Sequence, residues 1–194
     1  MVEDIPRDPS EGKMRRTLSL IGAMTLMLMA LLIPSTAASA AATAAAGPGT
    51  VLSFALTTPN IAVAPSGAMM AMPGDWIKVT GGGTFAPTTG KIDAGGAFVH
   101  YNADGAVHCR GTWAASRLTG WTDFGTAANG EHGGVVSMLV THNCTTMGMT
   151  HTDIPMTVTS TRVTPSGSTY IEGTTVAEFT QPTSGTVVIR ASAH

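Results

Sequence analysis

The chain has 194 residues, of which 11% are charged, and carries a net charge of −2 with 23 glycines and few aromatics. Such a near-neutral balance excludes the basic surplus with which nucleic-acid binders neutralise phosphates. No long run of one sign marks a charged tail.

At the N-terminus, Lys13, Arg15 and Arg16 precede "TLSLIGAMTLMLMALLI", and "PSTAASAAA" follows. A positive segment, an apolar segment and the small-residue site Ala38-Ser39-Ala40 make residues 1–40 a cleavable signal peptide. Met14 is an alternative start, because "MRR" opens a compact leader by itself. The apolar run is shorter than the roughly 20 residues of a spanning helix, so no span is expected in the mature chain. Residues 41–49, "AATAAAGPG", are expected to be a disordered lead-in, and residues 50–194 to form one all-β domain. The expected location is extracytoplasmic, either periplasmic or outside the cell.

Beyond the lead-in no window repeats apolar residues at helical spacing. Short β-branched and aromatic runs predict strands at 51–56, 76–80, 97–102, 106–118, 120–124, 135–144, 155–164, 169–172, 175–180 and 186–191. The segment 59–75 reads as a loop. Turns are expected at "GGG" 81–83 (a turn or a bulge), "PTTG" 87–90, "NGEHGG" 129–134 and "QPTSG" 181–185. About eight to ten short strands with regular turn signals predict an antiparallel β-barrel or β-sandwich.

The stretch "FVHYNADGAVHCRGTW" at 98–113 predicts a hairpin. "NADG" has the residues of a type I turn continued by a left-handed glycine, giving the loop Ala103-Asp104-Gly105. A regular ladder from that turn pairs Tyr101 with Val107, His100 with His108 and Val99 with Cys109. It places Val99, Tyr101, Cys109 and Trp113 on the core face. Phe98, His100, His108 and Arg110 fall on the other face.

The only cysteines are Cys109 and Cys144. In an exported protein they are read as one disulfide closing a loop of about 35 residues, worth ~3–4 kcal/mol in the chain-entropy model. In "VVSMLVTHNC" the alternation sets Val136, Met138, Val140, His142 and Cys144 on one face, the expected core face, with His142 at the rim beside the disulfide.

Histidines and methionines raise a metal alternative. His142, Met147, Met149, His151 and Met156 lie close together in sequence, and imidazole with thioether suits copper. Against it, methionines also fill gaps in apolar cores. The pair His100 and His108 supplies only two ligands, and Arg110 on the same face disfavours a cation. Trp121 with Asp123 could form a sugar platform, although tryptophans more often pack in cores.

Catalytic patterns are weak. No G-x-S-x-G elbow is present, and the scattered acids select no pair for glycoside chemistry. The sequence therefore leads to an exported, disulfide-stapled β-domain with a non-catalytic role, requiring no cofactor and acting on an extracellular ligand or surface. The alternatives are an extracytoplasmic copper or other metal binder built around residues 142–156, and a hydrolase whose site the sequence does not mark.

Overall fold

The computed structural model describes residues 49–68 and 71–192. The signal peptide and nearly all of the lead-in expected at the N-terminus lie outside these residues. Among the described residues the fold is all-β, and no helix is long and apolar enough to cross a membrane.

The strands are β1 Leu52–Val63, β2 Trp76–Ala86, β3 Lys91–Tyr101, β4 Val107–Thr126, β5 Glu131–Cys144, β6 Met149–Ser160, β7 Gly173–Val176, β8 Gln181–Ser184 and β9 Val187–Ala191. All pairings are antiparallel. Following them from β1 through β2, β3, β4, β5 and β9 returns to β1, so the sheet closes into a ring-like barrel. β6 pairs with β5 from Gly134 onward, next to the two residues that hold β9, β7 pairs with β6, and β8 pairs with β1. Closure manages the exposed edges that an open sheet would leave.

Alternation explains the core. Val136, Met138 and Val140 are buried at every second position of β5, as expected for a strand with one face inward. Ile77, Val79, Phe98, Val158 and Ile189 meet them from other strands. Each such side chain contributes roughly 1.5–3 kcal/mol when fully buried. Met156 sits opposite Met138 and is itself 1% exposed, so it belongs to this core.

Several elements differ from the sequence expectation. "GGG" 81–83 is neither turn nor bulge but the interior of β2, where Gly81, Gly82 and Gly83 pair with Gly96, Gly95 and Ala94. The reason is close backbone approach, because a Cβ on Gly81, Gly82 or Gly83 would collide with Gly95 O, Phe54 O or Asp93 O. Beside them on β3, Gly96 faces Trp113, the largest fully buried side chain, whose indole Nε1–H donates to the Thr80 carbonyl (3.0 Å). A Cβ on Gly96 would lie 2.7 Å from that indole nitrogen, so the strand must be bare where the ring crosses it. The strands expected at 106–118 and 120–124 are instead one long strand with irregularities, β4. β1 runs on into the expected loop as far as Val63. Residues 169–172 are not a strand, while "QPTS" is β8. β3 and β6 begin earlier than expected, at Lys91 and Met149.

The turn at 102–106 forms as read: Asn102 N–H donates to Ala106 O (2.8 Å), Gly105 N–H to Asn102 O (2.9 Å), and Gly105 has φ 85°. Tyr101 does pair with Val107. Beyond that point the expected register is wrong. A bulge skips His108, so His100 pairs with Cys109, Val99 with Arg110 and Phe98 with Gly111. Neighbouring strands dictate this. On β2, Ile77 and Val79 point inward and are paired with His100 and Phe98, which fixes β3's inward face. On β4, Cys109 and Trp113 must also point inward. A regular ladder cannot satisfy both sets, and one extra residue on β4 can.

Candidate functional site

The corrected register brings His100 to the inside of one end of the barrel. His100 and Phe98 share the face of Cys109, and Arg110 alternates to the opposite side. The His100 and His108 rings lie 4.7 Å apart, and His100 meets Phe179 edge-on at 5.0 Å. His108 remains exposed, as expected, but His100 is largely covered.

A second bulge acts the same way on the β5–β6 hairpin. Val140 pairs with Ile154, but His142 pairs with His151, so β6 carries one residue too many. Asp153 in this bulge has φ 58°. Without the extra residue Thr152 would stand opposite His142. With it, His151 and Met149 turn toward the side that His142 and Cys144 occupy. The turn 145–148 carries Met147 to the same place, closed by Gly148 with φ 65°.

These side chains surround a pocket of about 240 Å³. Its interior is apolar, with Ile77, Phe98, Ile154, Val176 and Phe179. His100 and His108 belong to its β3–β4 side, and His142, Met147, Met149 and His151 to its β5–β6 side. Between the two groups the Cys109–Cys144 disulfide staples β4 to β5, with Cα atoms 5.9 Å apart and both residues buried.

Asp75 anchors the β3 side. Buried itself, it accepts the Ala103 N–H on Oδ1 (3.0 Å) and the Met72 N–H on Oδ2 (3.1 Å). The same Oδ2 lies 3.3 Å from His100 Nε2, so the bond calls for a proton on Nε2. Burial pulls the His100 pKa below its ordinary value and nearby His108 adds to this, while the Asp75 bond opposes both. His142 stacks on Phe98 at 4.5 Å. Burial, helped by His151, lowers its pKa to about 4. Both inner imidazoles are thus neutral at pH 7 and offer one N–H and one lone pair each.

The third wall is a tight turn. Val176 and Phe179 exchange backbone hydrogen bonds (3.2 and 2.9 Å) around Ala177 and Glu178, and Ala177 takes φ 48°. Glu178 Oε2 accepts the Ala71 N–H at 2.8 Å, tying this turn to the 71–75 loop. Phe98, Asp75, Phe179 and Glu178 escaped the sequence reading because nothing local connects them. They meet only through the ring closure and the two bulges.

The other sequence candidates lie elsewhere. Trp121 packs its ring against Phe85 at 5.2 Å, and a Cβ on Gly134 would strike that ring, so Trp121 covers core. Asp123 Oδ1 accepts the Gly125 N–H (2.9 Å) and lies 3.6 Å from His132 Nδ1. Neither residue lines the pocket, and Met156 does not reach it either. A second hollow of about 520 Å³ is lined by residues that include Lys91, Asp93 and Arg117.

No protein-family model, curated protein or solved structure matches this chain.

Proposed function

We propose that this protein is an exported, non-catalytic binding domain, and that the pocket between the β3–β4 and β5–β6 hairpins takes a small, mostly apolar molecule. One observation carries the reading: a pocket of about 240 Å³ joins an apolar interior to neutral imidazoles at its mouth. Ligand sites typically combine apolar walls with a few placed polar groups. The volume lies below the roughly 300–1,000 Å³ of drug-sized sites, so a single ring carrying one hydrogen-bonding group suits it. Export is supported by the leader pattern and by a disulfide, which persists in oxidising compartments. Binding rather than catalysis is supported by the fate of the two sulfurs, which are bonded to each other rather than poised as nucleophiles.

Single-ring phenols, titrated into the ¹⁵N-labelled protein, test this reading. Saturable shifts confined to Phe98, His100, His142 and Phe179 are expected, and they should vanish in Ile154→Trp, which fills the half-buried wall of the pocket. Shifts spread over the outer faces of the sheet, or unchanged binding in Ile154→Trp, would remove the pocket as the ligand site.

A further inference from the structure

We propose that His142, His151, Met147 and Met149 form a site for a soft monovalent metal ion, of the copper(I) class, on the β5–β6 side of the pocket mouth. The inference goes beyond the reading above, since it concerns the rim and not the apolar interior.

Four observations converge on it. His142 and His151 are direct cross-strand partners, which sets their Cβ atoms about 5 Å apart. Met149 is two residues from His151 on the same strand and faces Cys144, while Met147 lies in the connecting turn; all four line one pocket. The bulge at Asp153 is what turns His151 and Met149 to this side, at the cost of a left-handed non-glycine residue. Finally, Met147 and Met149 are 39% and 43% exposed, so gap-filling in the core does not account for them as it does for Met138 and Met156.

Ligand chemistry then selects the ion. Among the described residues no three His, Cys, Asp or Glu side chains are grouped to hold a metal. Zinc needs three or four such ligands, and thioether sulfur is a poor substitute. A soft ion accepts thioether and imidazole together. Apolar walls lie behind the site, and the cysteine sulfurs, bonded to each other, leave the ion to the neutral ligands. Arg110 alternates to the side opposite Cys109 and so faces away from this mouth. Met156, included in the sequence-level set, is not part of the site because it is buried opposite Met138.

Silver(I), a redox-inert probe of this class, tests the proposal on the full chain labelled at methionine εCH₃. Titration should shift the Met147 and Met149 methyl resonances to saturation and leave Met138 and Met156 in place, and zinc(II) should not compete. The double variant Met147→Leu/Met149→Leu alters only exposed side chains and should fold normally. It should lose affinity by more than about tenfold, a loss that even outer-shell changes can cause at metal sites. Silver that binds without moving these two methyls, or that binds the double variant equally well, would overturn the assignment. Silver binding with no phenol binding would uphold the metal site while refuting the pocket reading. Phenol binding without silver would do the reverse.

Discussion

His100 lies opposite Cys109 across the β3–β4 ladder, and the residue skipped between their strands' regular pairings is His108. That bulge puts an imidazole beside the disulfide and a second imidazole 4.7 Å from the first. The arrangement has an electrostatic consequence, because His108 is one of the groups holding the His100 pKa down. In His108→Ala, His100 should titrate at a higher pH than in the wild type, as followed by its ring ¹H resonances. Stability should change by less than about 0.5 kcal/mol, since His108 is exposed. An unchanged His100 titration would mean that the rings do not sense one another in solution.

His142 predicts the acid limb of the stability curve. Its folded-state pKa, about 4, lies below the ordinary 6.5, so the unfolded chain binds the proton more readily. The contribution is complete above pH 6.5 and is lost progressively as pH falls toward 4. A depression of that size corresponds to ~3 kcal/mol. Urea unfolding at a series of pH values should show the decline, and His142→Leu, with no titrating ring beside Phe98 and His151, should flatten it. A wild-type curve level between pH 6.5 and 4 would contradict the burial of His142.

How much of this was legible in the sequence depends on the range of the forces involved. The turn at 102–106 was readable because Asn, Asp and Gly fix it locally, and Asp104 even accepts the Ala106 N–H as an Asx turn does. The inward face of β5 and the Cys109–Cys144 pair followed from alternation and the count of cysteines. The bulges were not readable, because each reconciles one strand with a second neighbour that sequence proximity does not reveal. Phe98 faces inward because of Val79 on β2, not because of anything in its own hairpin. The glycines at 81–83 looked like a turn for a similar reason, since what needs them bare is the close backbone of β1 and β3 at Phe54, Asp93, Gly95 and Gly96, on other strands.

Ring closure rests on a narrow seam. β5 and β9 pair only through Glu131 with Arg190 and His132 with Ile189. Across it, Arg190 donates to Glu131 Oε1 at 2.6 Å, and Arg162 Nε lies 3.0 Å from Oε2. The Arg190 bond is the chief cause that lowers the Glu131 pKa below 4.5, outweighing desolvation. Stability from this carboxylate is therefore present above pH 4.5 and lost as pH falls through the depressed value. Glu131→Gln should lower the melting temperature at pH 7 and raise amide exchange at Ile189 and Arg190 first. Uniform exchange across the barrel would show instead that the seam opens only with global unfolding.

Ala177 offers the complementary test, a substitution expected to stabilise. With φ 48° it holds the two-residue turn between Val176 and Phe179 in a left-handed conformation. That conformation costs an L-residue roughly 1–2 kcal/mol, against roughly 0.5–1 kcal/mol of extra backbone entropy that a glycine loses on folding. Ala177→Gly should therefore gain up to about 1 kcal/mol, a rise of roughly 2–4 °C for a chain of this size. Ala177→Val should lose stability, because a β-branched side chain tolerates a positive φ least. Calorimetry on the two variants gives opposite signs if the turn is strained as described. A glycine variant that melts lower than the wild type would show that the strain is relieved elsewhere. The turn's placement of Phe179 in the pocket would then need another support than the hydrogen bonds it shares with Val176.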